Sequence, residues 1–300
     1  MTDKQEPDSL RRFLFEQSLV RGEFIHLQES FLTIIEQHNY PPAIRRLLGE
    51  ALCVAGLLSA IIKFDGRLTI QFRGQGKLKL LLAQCDNQFH IRGLVKWEDD
   101  LSYEDLMGTL NDGVLMIMLD GGPSKRYQGV VAWRGNSLAE SVEGYFRDSE
   151  QLATRIWLAV DDSQAAGLLL QIIPSKEKIS DLQEEIIHPH WESITKQADH
   201  LKSDDLLYID YEKLLRALFP QEMIRVFSAV SVMFQCTCSR KKSADAIALL
   251  GRKEAEEEIA DKQIILVTCD FCNKEYSFDR VDVAKIFDDQ DRGASSHHLH

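Results

Sequence analysis

Apolar and polar positions change rhythm along these 300 residues. Residues 10–40 mix the two without strict alternation. The pattern predicts a helix over 41–64. Pro41-Pro42 starts it, Leu47, Leu48, Ala51 and Leu52 form an apolar stripe, and Asp65-Gly66 ends it. Strand-like runs follow at 68–73, 78–83, 90–95, 114–119 and 129–133. Gly74-Gln-Gly76, Asp86-Asn87 and Asp120-Gly121-Gly122-Pro123 supply turns between them. Ser137, with Glu140 three residues on, starts a helix running to about 146. Apolar runs at 153–160 and 167–174 complete an α+β N-terminal domain, expected over 1–178. From about 175 the chain turns rich in Asp, Glu, Lys and His. Leu206, Leu207, Tyr211, Leu214, Leu215 and Leu218 keep helical spacing, so 179–234 is expected to be a helical linker. Its short helices need a neighbour to pack on. A small module is expected over 235–287 and a disordered tail over 288–300. The tail's His297-His298-Leu-His300 is too irregular for a metal site.

Charge narrows the partners. The chain is 44% hydrophobic and 27% charged, enough for a sizeable core, with a net charge of -12. That balance argues against nucleic acid and anionic membranes, which select basic surfaces. The most hydrophobic stretch, 52–64, is short for a membrane span and carries Ser59 and Lys63. The opening Met1-Thr-Asp-Lys-Gln-Glu-Pro-Asp has no apolar core of a signal peptide. The expected location is the cytoplasm. There, paired cysteines point to metal or redox chemistry rather than to structural disulfides.

Four of the six cysteines form two tight pairs, Cys236-Thr-Cys238 and Cys269-Asp-Phe-Cys272. Two pairs separated by a loop are what a tetrahedral four-sulfur zinc site requires. The expected ligands are Cys236, Cys238, Cys269 and Cys272, holding one zinc ion in the reduced state. A module of this size has little core, and a structural zinc contributes roughly 10–16 kcal/mol in small peptides, so metal decides its folding. Zinc keeps the sulfurs as thiolates, which react with oxidants. A sulfenic acid would be resolved by a neighbour two or three residues away, giving disulfides Cys236–Cys238 and Cys269–Cys272 with zinc released. The spacing alone leaves a static zinc ribbon open. Residues 236–287 carry nine Lys or Arg and ten Asp or Glu, whereas a nucleic-acid ribbon is usually basic.

Several segments resemble one bacterial family, the 33 kDa chaperonin. Cys-Thr-Cys-Ser-Arg at 236–240, Leu249-Leu-Gly-Arg, and Val267-Thr-Cys-Asp-Phe-Cys272 before Tyr276-Ser-Phe-Asp279 resemble its zinc domain. Lys63-Phe-Asp-Gly-Arg-Leu-Thr-Ile-Gln-Phe-Arg-Gly74 resembles an early strand signature. Tyr127-Gln-Gly-Val-Val131, the run 137–146 and the run 149–155 resemble its central segment, and 210–219 the end of its linker. The likeness spans nearly the whole chain. Residues 227–234 depart from it in being more apolar and less basic. The resemblance implies an ATP-independent, redox-regulated holdase and no enzyme. Reduced and zinc-bound, it is largely inactive. Oxidant with heat forms the disulfides, expels zinc and unfolds the module and linker. The exposed surface then binds unfolding client proteins, and the active form dimerises. Cys236, Cys238, Cys269 and Cys272 fall on the family's four ligands.

Other candidates read plainly. Cys53 lies in the apolar helix and is expected to be a core thiol. Cys85 ends a strand beside Asp86 and is expected to be partly exposed. His188 and His190 flank Pro189 in an expected solvated turn, and His26 and His90 lie in patterned segments. Gly74-Gln-Gly76 lacks the third glycine of a phosphate cradle. Two other classes stay open: a zinc ribbon acting on RNA or a protein complex, and a Cys-x-x-Cys thiol oxidoreductase. The latter is disfavoured because Cys269 lacks a strand-then-helix setting.

Overall fold

In a computed structural model describing residues 7–98, 101–121, 126–134, 137–173 and 181–296 (backbone alone at 103, 181–188 and 289–296), two six-stranded sheets pack on one apolar helix. The chain divides into two units, Met1–Gln235 and Cys236–His300.

The first unit opens with β1 (Ser9–Phe15), β2 (Val20–Leu27), α1 (Glu29–Ile35) and α2 (Pro42–Ile61). It continues through β3 (Arg67–Arg73), β4 (Leu78–Asp86), β5 (His90–Trp97), α3 (Tyr103–Asp112), β6 (Val114–Asp120) and β7 (Arg126–Val131). Then come α4 (Leu138–Tyr145), β8 (Thr154–Val160) and β9 (Ala165–Ile172). The helices α5 (Asp181–Ala198), α6 (Ser203–Tyr208) and α7 (Tyr211–Leu218) follow. Three short strands, β10 (Ile224–Val226), β11 (Val230–Ser231) and β12 (Met233–Phe234), end the unit. One sheet has the order β10-β1-β2-β9-β8, with β11 also on β1; the other runs β12-β5-β4-β3-β6-β7.

Helix α2 contacts both sheets, and residues 51–59 are buried on every side. A helix apolar all round is stable only in such a place. The first sheet is covered on its second face as well. Ile25 and Leu27 of β2 face the α2 core, while Val20 and Phe24 join Phe13, Leu206, Tyr211, Leu214 and Phe219 in a second core under α6 and α7. Burial on both faces is why 10–40 shows no alternation and β1 and β2 escape a period-two search. At Gly22 a Cβ would sit 2.0 Å from the Phe13 ring, so only glycine fits opposite that aromatic. Helix α3 was also not foreseen. Its signal was Ser102 and Asp105, which form a reciprocal capping box.

The expected helical linker over 179–234 differs at its end. It is helical only to Leu218; residues 224–234 are extended and held by backbone hydrogen bonds to two sheet edges. The Phe227 amide donates to the Arg12 carbonyl, Val232 to Asp8 and Gln235 to Ile91. Unpaired sheet edges capture an apolar segment in this way. Residues 174–180, where the 178/179 boundary was expected, and Gly122-Pro123 lie outside the described residues. His190 is not in a solvated turn: α5 runs through Pro189, and the ring Nε2 lies 3.0 Å from Glu222 Oε1. The side chain of His188 lies outside the described residues. His26 is buried against Gln164, and His90 Nδ1 pairs with Asp86 at 3.0 Å.

The second unit holds α8 (Arg240–Leu250), α9 (Arg252–Lys262), the hairpin β13 (Ile264–Thr268) and β14 (Glu275–Asp279), and α10 (Arg280–Ser296). The tail expected from 288 is thus helical to Ser296, and His297-His298-Leu-His300 lies outside the described residues. Its buried apolar core comprises Ile247, Ala255, Ile259, Ile265, Phe278, Val283 and Phe287.

Candidate metal centre

The extended stretch leading into α8 carries the first cysteine pair, and Ser239 caps that helix by accepting from the Lys242 amide. In extended chain, residues two apart share a face, so Cys236 and Cys238 present their sulfurs together. The hairpin turn carries the second pair. Asn273 there has φ 51°, a left-handed position that asparagine tolerates better than most residues. Its amide donates to the Cys269 carbonyl at 2.8 Å, and the Cys269 amide donates to the Lys274 carbonyl at 3.0 Å. These bonds close a knuckle around Cys269 and Cys272.

Arg240 joins the two segments. Its guanidinium lies 4.4 Å from the centre of the Phe278 ring, donates to the Ser277 carbonyl at 2.8 Å and pairs with Asp282 at 2.7 Å. Lys242 Nζ donates to the Thr237 carbonyl at 2.7 Å.

Together these contacts bring all four expected ligands to one point. The four Sγ atoms lie within 4.8 Å of one another, and all are free thiols. Cys236 and Cys269 are 3.6 Å apart, Cys238 and Cys272 3.5 Å. A tetrahedron with metal–sulfur arms of about 2.3 Å has edges of about 3.8 Å, so the donor set fits zinc in size and softness.

The four sulfurs are not alike. Burial raises the Cys238 thiol, but the Tyr276 hydroxyl, 3.2 Å away, and the neighbouring thiols outweigh it and bring it to about 7. Tyr276 in turn is pushed up to about 12, first by that hydrogen bond. Burial raises Cys236, and the Cys238 amide partly offsets this. Burial also pushes Cys272 up to about 12, against the Lys274 amide. Arg240 and Tyr276 stand in the quoted family motifs, but the sequence assigns neither a role. Only pairing Val267 with Tyr276 across the hairpin shows the ring's place.

The remaining cysteines stand apart from this group. Cys53 is buried in α2, and burial pushes its thiol up. Cys85 corrects the expectation of partial exposure: it is fully buried, and its thiol is pushed up to about 12 by burial. Its position on β4 turns it inward under Ser59 of α2. No described helix is long and apolar enough to cross a membrane.

A sequence profile for the family described as Hsp33 protein matches residues 8–279. The 33 kDa chaperonin of Azotobacter vinelandii is 39% identical over 292 residues, covering 96% of this chain and 97% of its own. The 33 kDa chaperonin of Nitrosococcus oceani is 38% identical over 283 residues, covering 94% of this chain and 95% of its own. The crystal structure of the 33 kDa chaperonin from Thermotoga maritima shares the fold, with TM-score 0.79 at 23% identity, over 94% of this chain and 99% of that one. With its profile matched across most of its length and its relatives aligned nearly end to end, the chain belongs to the Hsp33 family of chaperones.

Proposed function

We propose that this chain is an ATP-independent holdase of the cytoplasm, switched on by oxidation, that captures unfolding proteins under oxidative and heat stress. The observation that carries this reading is the convergence of four free cysteines within 4.8 Å in a unit whose buried apolar core, among the described residues, has seven side chains. A core that small leaves folding dependent on the metal tie. When bound, zinc holds the four sulfurs as thiolates and joins the two cysteine pairs.

Oxidation removes those ligands. Cys236 and Cys238 close one disulfide, and Cys269 and Cys272 the other. Each pair of thiolates gives two electrons to one peroxide, which takes up two protons and leaves as two waters. The close contacts at 3.6 and 3.5 Å run between the pairs. Within-pair closure follows because a partner two or three residues away stays near once the unit loosens. The second unit begins at Cys236, two residues past the end of β12, so its unfolding would leave the 224–234 strap held only by its backbone bonds to β1 and β5. Helices α6 and α7 have six and eight residues and are marginal alone. Their departure uncovers Phe13, Phe15, Phe24, Leu168 and Leu170 on the first sheet. That apolar face is what unfolding clients, or a second activated copy, would meet.

The test joins two readouts. Reduced, zinc-loaded protein is heated with peroxide beside a metal-sensitive dye and a thermally unfolding client. Stoichiometric zinc release with new suppression of aggregation is expected. Release without suppression would leave a static zinc ribbon.

A further inference from the structure

We propose that Tyr276 is a positioning residue of the sulfur cluster, whose hydroxyl donates to Cys238 Sγ and restrains that sulfur within the metal site. The proposal rests on the zinc reading above. The hydroxyl lies 3.2 Å from Cys238 Sγ. The ring is held in two ways: β14 fixes its backbone opposite Val267, and its partly buried side chain packs against the unit's apolar core. The Lys274 ammonium stands 5.5 Å from the ring centre. A cation over the ring is attracted to its face and helps to hold the ring in place.

The arrangement is asymmetric in a useful way. Cys236 Sγ is hydrogen-bonded by the Cys238 backbone and Cys272 Sγ by the Lys274 backbone. Among the described residues, Cys238 has a side-chain partner outside the cysteines, the Tyr276 hydroxyl, which substitution can remove without touching the knuckle. A hydrogen bond to the sulfur fixes the direction of one lone pair and so limits how far Cys238 Sγ can swing away from the metal position. It also engages a lone pair that an electrophile would attack. Both effects keep the cluster closed until oxidant is abundant.

Full-length reduced protein is compared as wild type, Tyr276→Phe and Val267→Ala. The last loosens the same hairpin but keeps the hydroxyl. Zinc content is measured first, then zinc affinity by competition with a pyridylazo chelator. Iodoacetamide labelling of the zinc-loaded protein is mapped cysteine by cysteine. Tyr276→Phe should still take up one zinc, hold it about 10-fold more weakly, and label faster at Cys238 than at the other three. Val267→Ala should show no preference for Cys238. A second arm leaves ring and backbone in place: 3-fluorotyrosine at position 276 strengthens the donor and should slow Cys238 labelling. With cobalt in the site, the sulfur-to-metal charge-transfer band should move in opposite directions for the two replacements. Equal affinity and labelling in wild type and Tyr276→Phe, or an identical effect of Val267→Ala, overturns the proposal while the zinc reading stands. A wild type that takes up no zinc overturns both.

Discussion

The Sγ of Cys238 lies 3.5 Å from that of Cys272, although the residues stand 34 positions apart. Nothing in the small apolar core forces that approach. The Cys269 knuckle and the Arg240 bridge do, and both are polar arrangements that a metal would lock.

Metal removal should therefore act on one unit. A chelator added to reduced protein is expected to expose Arg240, Lys241, Arg252 and Lys253 to trypsin within minutes, while cleavage within β1 to β5 and α2 stays unchanged. The energy at stake is on the order of 10 kcal/mol. Limited proteolysis read by mass spectrometry checks this; equal cleavage with and without chelator would count against a metal-dependent fold.

Phe278 is only 2% exposed and carries Arg240 on its face. Phe278→Ala should cost the second unit about 3–5 kcal/mol. Metal competition should report this as weaker zinc binding. Urea unfolding of the first unit should be unchanged.

Leu214 of α7 is 2% exposed and packs in the second core on the first sheet. Leu214→Ala should weaken that packing by about 2–5 kcal/mol. Hydrogen exchange across α6 and α7 should accelerate in reduced, zinc-loaded protein, and aggregation suppression should emerge without oxidant. Faster exchange with no gain in suppression would separate helix release from client capture.

Glu23 sets a pH dependence. It is 3% exposed, and burial pushes its carboxyl from 4.5 to about 8, with Arg12 and Arg21 offsetting only part of the effect. Between those values the folded chain holds a proton that the unfolded chain has lost. This group's contribution is thus most favourable below about 4.5, declines as pH rises through the window, and levels above about 8. The span is on the order of 5 kcal/mol. Urea unfolding at pH 5 and pH 8.5 should show the first unit weaker at the higher pH, and Glu23→Gln should flatten the difference.

Legibility followed local start, stop and turn residues. Helix α2 was readable because Pro41 and Gly66 bracket a long apolar run. The edges of β3 to β6 were readable from their turn residues. The first two strands were not, because Phe24 and Ile25 are buried on opposite faces of one sheet and alternation vanishes. The 224–234 strap was read as helix because its hydrogen-bond partners, Arg12, Asp8 and Ile91, are distant in sequence.

By itself, the sequence determined that two cysteine pairs lie near the C-terminus, beyond a large mixed α+β region. Spacing of cysteines is a local property, and zinc chemistry constrains it tightly. Only the tertiary structure decided that the Tyr276 hydroxyl lies 3.2 Å from Cys238 Sγ, that Cys85 is sealed inside, and that α6 and α7 cover the first sheet. Those outcomes depend on contacts between residues far apart in the chain, whose register no local pattern encodes.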